Sequence, residues 1–389
     1  MGFRILTLNN LSRKGLAQLP RDRYEIGSAV VNPDAILVRS ADMHSMEIPL
    51  SVRAVGRAGA GTNNIPVAKL SLRGIPVFNA PGANANAVKE LVLAGILLAA
   101  RHICESWQFV RGLSGDGESL EAAVEQGKKR FVGHELPGRT LGVVGLGAIG
   151  VEVANAAHLL GMHVLGYDPQ ITVHRAWQLS SGVEQALSLD DLFARSDFVT
   201  VHVPLADTTR SLVNAGCIRL MHDGASLLNF ARAAIVNEAD VLAALDSGKL
   251  AAYICDFPTP QCKDHAGVIA LPHLGASTSE AEENSVMMVA DTLRDYLEHG
   301  NIRHSVNFPE AALPRVPGTA RIAIANSNVP NMVGQISTCL AAARLNISDL
   351  LNKSKGEVAY TLIDIDGQVP AGLIERIGTI EGVLSIRVV

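Results

Sequence analysis

The sequence predicts an α/β protein built on open parallel sheets, followed by a small α+β domain. Three observations carry that prediction. Short apolar runs alternate with polar, helix-compatible stretches up to about residue 300, the pattern of a doubly wound parallel sheet. A glycine-rich turn, Gly145-x-Gly147-x-x-Gly150, joins the apolar run Leu141–Val144 to a helical stretch, Val151–Leu160. Beyond a segment holding Pro309, Pro314, Pro317 and Gly318, residues 320–389 read β-α-β-β-α-β, the ferredoxin-like order.

With 389 residues the chain has room for two or three domains, and 48% hydrophobic and 18% charged residues describe an ordinary globular protein. A net charge of −5 offers no basic field to nucleic acid or an anionic membrane. The one basic cluster, Lys128–Arg130, is short and reads as a solvated loop. The N-terminus, Met1-Gly-Phe-Arg-Ile-Leu6, becomes a strand at once, without the apolar leader of a secretory signal. The most apolar run, Leu91–Ala100, is too short to span a bilayer and reads as a core helix. Cys104, Cys217, Cys255, Cys262 and Cys339 form no CxxC pair and no metal-ligand spacing, so reduced thiols, a cytoplasmic location and no metal site are expected.

Taken in order, Ala35–Arg39, Ala54–Arg57 and Ile75–Asn79 are the clearest early strands. Each ends in a polar loop: Arg39-Ser40, Arg57–Thr62 and Asn79–Asn84. Ligands of an open parallel sheet collect at the carboxyl ends of its strands, so these loops are expected to line one cleft. Arg39 and Arg57 suit it to an anion. A helix from Ala87 to about His102 leads on, and residues 105–137 follow with weaker periodicity.

In the central turn Gly145 permits the tight bend, Gly147 lets the backbone approach a pyrophosphate, and Gly150 lets the helix pack against the strand. The helix N-terminus offers free N–H groups and a positive dipole end to phosphates. The next strand, His163–Tyr167, ends at Asp168, close to the spacing of about 20 residues at which a dinucleotide-binding fold places an acid on the ribose. That carboxylate would meet a 2′-phosphate with like charge, so a Rossmann domain for NAD rather than NADP is expected. Strands Phe198–Val203, Ala225–Asn229, Leu250–Ile254 and Gly267–Leu271 complete the domain, with a helix from Glu238 to Ser247. A loop and long helix, Leu274–His299, follows with Ser277 or Ser279 as cap, and Asn307–Thr319 is read as a linker. The final domain is read as strand Ala320–Ala325, helix Met332–Leu345, strands near Asn346–Asn352 and Ala359–Ile365, a helix from Ala371, and strand Val383–Val389.

Three runs carry a resemblance: Phe198-Val-Thr-Val-His-Val-Pro204 with Thr208-Thr209, Leu227-Leu-Asn-Phe-Ala-Arg232, and Leu271-Pro-His273-Leu-Gly275. Together they resemble the D-isomer-specific 2-hydroxyacid dehydrogenases, over essentially the whole chain. Gly74-Ile-Pro-Val-Phe-Asn-Ala-Pro81 and the C-terminal domain, which resembles an ACT domain, narrow this to the branch that oxidises D-3-phosphoglycerate in serine synthesis.

The resemblance implies a flavodoxin-like substrate-binding domain over 1–96 and 277–308, an NAD-binding Rossmann domain over 97–276, a linker over 309–319 and an ACT-like regulatory domain over 320–389. His273 would be the acid/base on the C2 hydroxyl and Arg232 would grip the carboxylate in a bidentate fork. Gly145, Gly147, Ala148, Ile149, Gly150, Asp168, Pro204, Phe230, Ala231, Arg232, Asp256, His273 and Gly275 would contact NAD. Arg39, Ser40, Gly59, Ala60, Gly61 and Asn84 would line the substrate pocket. Arg57 and Lys89 join them on charge alone, because a phosphate needs cations. A small phosphorylated hydroxy acid, L-serine as an effector at Asn326, Asn328 and Asn346, and a homodimer or homotetramer are the implied partners.

The chain departs from the family's pattern at three places. Ala233-Ala234 follow Arg232 where glycine is usual, a change the backbone is expected to tolerate. The stretch Asp256-Phe-Pro-Thr-Pro-Gln261 lacks the glutamate that partners the catalytic histidine, leaving Asp256 or Asp264 as substitutes. Asn331 stands where the ACT-like turn has glycine. Two other readings stay open: a hydroxypyruvate or glyoxylate reductase, and an NAD(H)-sensing regulator that does not turn over.

Overall fold

The structure, a computed structural model, describes residues 2–389. It divides into two compact units, residues 1–83 with 282–389, and residues 84–281.

The first unit contains two sheets. Strands β1 (Phe3–Leu8), β2 (Tyr24–Gly27), β3 (Ala35–Val38), β4 (Ala54–Arg57) and β5 (Val77–Phe78) pair in parallel in the order β2-β1-β3-β4-β5, the flavodoxin-like order expected. All four residues of β3 are buried, which is why this strand reads as an unbroken apolar run rather than an alternating one. The returning helix, Ser279–His299, presses Val286, Val289, Ala290 and Leu293 into a core with Ile5, Leu37 and Phe78. Its cap is Thr278, whose hydroxyl accepts from the Ala281 N–H at 3.0 Å. Ser277 and Ser279, the two expected caps, spend their hydroxyls on the His273 carbonyl and on Glu280.

The second sheet of this unit is antiparallel. With β6 to β12 assigned to the other unit, its strands are β13 (Thr319–Ser327), β14 (Ile347–Lys355), β15 (Val358–Asp366) and β16 (Val383–Val388), in the order β14-β15-β13-β16. Helices Met332–Ala342 and Leu373–Gly378 complete β-α-β-β-α-β. Side chains alternate across β13: Ile322 and Ile324 face the helices with Ile336 and Ile377, while Ala323 and Ala325 join the core of the parallel sheet. The first part of the Pro-rich segment read as a linker, up to Leu313, is a buried strap, while residues 314–318 are exposed. Phe308, Ala311 and Leu313 are buried, Leu313 donates to the Asn301 side chain at 3.1 Å, and Arg321 clasps the strap from β13. That guanidinium donates to both Asp364 oxygens (2.6 and 2.7 Å) and to the carbonyls of His299, Leu313 and Pro314.

The second unit holds β6 (Thr140–Val144), β7 (His163–Tyr167), β8 (Val183–Gln185), β9 (Phe198–Val201), β10 (Ala225–Asn229), β11 (Leu250–Cys255) and β12 (Val268–Ala270). They are parallel in the order β12-β11-β10-β9-β6-β7-β8. The chain leaves β6 in one direction for β7 and β8 and returns on its other side with β9, so the topological switch point lies between β6 and β9. The stretch of weak periodicity contains helices Ile103–Gly112 and Gly117–Gly127. They bury little of their own surface. Among the described residues no helix is long and apolar enough to cross a membrane.

Candidate active site

The nucleotide half sits where the switch point places it. Gly145 ends β6 with φ +91°, and a Cβ there would lie 2.8 Å from the His202 carbonyl at the end of β9. A Cβ at Gly150 would run into the Gly145 carbonyl oxygen, so the helix Ala148–Leu159 starts as close to the strand as a backbone allows. Around Gly147, the residue before that helix, a Cβ would meet nothing within 4 Å. The helix of 12 residues that follows starts at Ala148 with no side-chain cap bond, and the dipole at such a start favours phosphate.

Asp168 follows β7 and already organises the turn: its oxygens accept from the N–H groups of Leu146 and Gln170, both at 2.9 Å. Beside it a cavity of about 180 Å³ is lined by Leu146, Ile171, Leu179 and Glu184. At the far side of the sheet Asp256, just past β11, is 1% exposed. One of its oxygens accepts from Gly275 N–H at 3.1 Å, and the other is buried without a partner. A buried carboxylate oxygen in that state can accept from a donor outside the chain, a water or a ligand N–H. Gly turn, helix start, ribose acid and orphaned carboxylate together fit a dinucleotide with a carboxamide at one end.

The two expected catalytic side chains are both exposed in this unit. Arg232 leaves the end of β10 through a turn that Asn229 brackets: the buried Asn229 amide donates to the Arg232 carbonyl (3.0 Å) and accepts from Ala231 N–H (3.1 Å). The Arg232 guanidinium itself bonds only its neighbour's carbonyl, Ala231 O, at 2.7 Å. Ala233 and Ala234 open a short 3-10 turn, and neither has a positive φ, so glycine is not required there. His273 lies beyond β12, its ring 5.1 Å from that of Phe257. Among the described residues no carboxylate bonds it. Asp256 is engaged with Gly275, Asp264 pairs with Lys263 at the surface, and Glu238 is held by the Thr259 hydroxyl at 2.8 and 2.9 Å. The stretch that lacks the family's glutamate is instead closed on itself through Thr259 and Cys262.

Pro204 is exposed just past β9, and Phe230 is buried under the Arg232 turn. Between them, His202 hydrogen-bonds Thr200 at 2.9 Å through Nε2, while its Nδ1 is buried without a partner. Burial pushes this imidazole down to about 3, so it is neutral.

The substrate half of the first unit gathers at the carboxyl ends of β1, β3, β4 and β5. Sequence reasoning missed its organiser, Asn9, whose side-chain oxygen accepts from the N–H groups of Arg39 (3.1 Å), Ser40 and Ala41 (both 3.0 Å). The signal was available: Asn9 directly follows β1, the strand beside the switch point with β3. Arg57 donates through Nε to the Arg39 carbonyl at 3.1 Å, and its guanidinium lies against Gly59, leaving no room for a Cβ there. Gly59 and Ala60 are tied to the loop after β5, by Ala80 N–H and the Asn79 amide, with Gly61 next in the loop. Arg39 is partly spoken for, since Glu282 pairs with it at 2.6 Å. Asn84 and Lys89 belong to the second unit. Asn84 precedes the helix Ala85–Ala100 without a side-chain cap bond, and Lys89 bonds Asn86.

The three expected regulatory asparagines do not converge within one chain. Asn326 is 1% exposed, with its amide spent on the Ser327 carbonyl. Asn328 is exposed and donates to Gly356 O. Asn346 bonds Asp366, which pairs with Thr319 at the opposite end of β13 from Asn326.

Residues 93–275 match the family model described as the NAD binding domain of D-isomer specific 2-hydroxyacid dehydrogenases. A D-3-phosphoglycerate dehydrogenase of Haemophilus influenzae is 32% identical over 349 residues, 86% of this chain and 80% of its own. The chain belongs to the D-isomer-specific 2-hydroxyacid dehydrogenases. A D-3-phosphoglycerate dehydrogenase of Dictyostelium discoideum is 28% identical over 412 residues, covering 99% of this chain and 97% of its own. Against the Archaeoglobus fulgidus protein of that name identity is 36% over 300 residues, but the chain covers only 54% of that longer relative. Among solved structures, Rhodotorula graminis D-mandelate dehydrogenase superposes with a TM-score of 0.68 at 25% identity, over 81% of this chain and 99% of its own. The NAD⁺-bound 3-phosphoglycerate dehydrogenase of Entamoeba histolytica gives 0.61 at 23% identity, over 79% and 99%, a likeness of fold. This chain is thus an NAD-dependent oxidoreductase whose second unit is the nucleotide domain.

Proposed function

We propose that this dehydrogenase oxidises D-3-phosphoglycerate to 3-phosphohydroxypyruvate, the entry step of L-serine synthesis, as a cytoplasmic enzyme. What carries the reading is the alignment with the Haemophilus protein across most of both chains. Arg57, at the carboxyl end of β4 in the substrate half, supports it with a cation suited to a phosphate. NAD, held by the Gly145–Gly150 turn, Asp168 and Asp256, supplies the hydride acceptor. Arg232 orients the substrate carboxylate through parallel N–H donors, the role a planar guanidinium with no acidic partner is suited to. His273 takes the C2 hydroxyl proton at a ring nitrogen and returns it in the reverse direction.

The bare surroundings of His273 favour one rival, an NAD(H) sensor that binds without turnover. The deciding assay is NADH oxidation with 3-phosphohydroxypyruvate beside hydroxypyruvate and glyoxylate. The expected result is a preference for the phosphorylated ketoacid that Arg57→Met removes, and loss of turnover with intact NADH binding in His273→Ala. Equal rates on all three would mean a hydroxypyruvate or glyoxylate reductase, and tight NADH binding without any turnover would mean the sensor.

Two assembly proposals go with this reading. Ile103, Trp107 and Val110 are 43%, 62% and 50% exposed at i, i+4, i+7 on one helix, an apolar stripe suited to a homodimer contact. L-serine as an effector would need a second copy as well. Asn328 and Asn346 sit at opposite ends of the antiparallel sheet, roughly 25 Å apart at about 3.3 Å per residue, so only residues from two chains would meet around one ligand.

A further inference from the structure

A cavity of about 550 Å³ lies in the first unit, between the turns that precede β4 and β5 and the Leu384–Arg387 stretch of β16. It opens at the amino ends of the parallel strands, the opposite edge of the sheet from Arg39, Arg57 and Asn79. Its volume is that of a small-molecule site, commonly about 300–1,000 Å³.

The charge in it is one-sided. Arg53, Arg73 and Arg387 line the cavity, and no acidic residue does among the described residues, in a chain whose net charge is −5. Arg53 is paired, with Asp34 at 3.5 Å. The other two have no carboxylate within 4 Å among the described residues, and their partners are neutral: backbone carbonyls and, for Arg387, the Tyr296 ring and the Tyr360 hydroxyl. Arg73 donates to Ile48 O at 2.9 Å and Pro49 O at 3.0 Å. Arg387 donates to Leu297 O at 3.1 Å and to Tyr296 O, and stacks 4.2 Å over the Tyr296 ring. Its Nε is buried with no partner at all. Carbonyl bonds fix the planes of the two guanidinium groups without cancelling their charge, and such half-buried cations are stabilised by an anion. At the mouth Leu50 and Leu72 are 94% and 78% exposed, an apolar rim that a purely inorganic ion would leave unused.

We propose that this cavity is a binding site for a small organic anion, a carboxylate or phosphate attached to an apolar group. Arg73 and Arg387 meet the charge, and Leu50 and Leu72 meet the apolar part. Calorimetric titration of the whole protein with phenyl phosphate and with phenylacetate tests it and separates the two head groups. Saturable binding of at least one probe is expected, weakened about tenfold or more in Arg73→Met and Arg387→Met, because a charge-assisted bond is lost. Leu50→Glu, at a position too exposed to matter for folding, is expected to weaken binding similarly by placing an acid at the mouth. Arg57→Met, in the substrate half, is expected to leave that binding unchanged. Absence of saturable binding of either probe, or binding that Arg57→Met removes and Leu50→Glu leaves intact, would overturn the proposal.

Discussion

Arg321 and Arg232 are the same side chain in opposite surroundings. Arg321 is wholly buried and donates to both oxygens of Asp364 and to three carbonyls, so its capacity is spent inside the fold. Arg232 stands exposed with a single bond to the carbonyl one residue back. A saturated guanidinium is a structural joint, here between β13, β15 and the segment at Leu313 and Pro314. One left unsaturated at a strand's carboxyl end is held in reserve for a ligand. The largest effect should come from breaking the joint. Asp364→Asn leaves a buried cation without its counter-charge and should cost about 3–5 kcal/mol of stability, read as a lower denaturation midpoint, with the rate per folded molecule unchanged. Arg232→Gln should do the reverse. Its stability should stay within about 0.5 kcal/mol of the parent, while kcat/KM falls roughly 10²–10³-fold, as when a positioned charge-stabilising donor is removed. A variant that lost stability and kept its rate would break the contrast.

The acids divide the same way, with a smaller stake. Asp364 is sealed in the fold with one guanidinium donor on each oxygen, whereas Asp168, with one backbone N–H on each oxygen, lines a cavity where a ligand hydroxyl could reach it. Asp168→Ala should therefore raise the KM for NAD by roughly tenfold, about the 1–2 kcal/mol of lost hydrogen bonds to a charged acceptor. It should also narrow the preference over NADP, because the charge opposing a 2′-phosphate is gone. Steady-state kinetics with both nucleotides checks both effects.

The nucleotide half was legible in the sequence because its determinants are local. A strand, three glycines, a helix and an acid at fixed spacing are one contiguous statement. What stayed hidden works across the chain. Asn9 ties a loop 30 residues on, and Arg321 meets an acid 43 residues away; read alone, the first is a turn residue after a strand and the second a surface charge. The same holds for Glu282, whose grip on Arg39 takes up a cation that the sequence offers to a phosphate. Three hydroxyl residues in a row, Ser277, Thr278 and Ser279, each satisfy the chemistry of a helix cap, and only the backbone path selects the middle one. The strap looked like a tether because proline and glycine mark both loops and buried irregular segments. Burial of Phe308 and Leu313 decides between these, and composition cannot report it.

Two histidines repeat the contrast at its smallest scale. His273 is exposed, whereas His202 is kept neutral, its pKa pushed from 6.5 to about 3 by burial. A histidine depressed in the folded state binds its proton more readily when unfolded. His202 therefore costs the fold nothing above pH 6.5, and its penalty grows as pH falls from 6.5 towards 3, by at most about 1.4 kcal/mol per pH unit. His202→Asn keeps a partner for Thr200 and removes the titration. Denaturation midpoints measured between pH 7 and pH 5 should fall less steeply for the variant than for the parent, while the variant's midpoint at pH 7 stays close. Parallel slopes would mean that His202 takes up its proton in the folded protein as easily as in water, and that the end of β9, beside the Gly145 turn, is open to solvent rather than sealed under it.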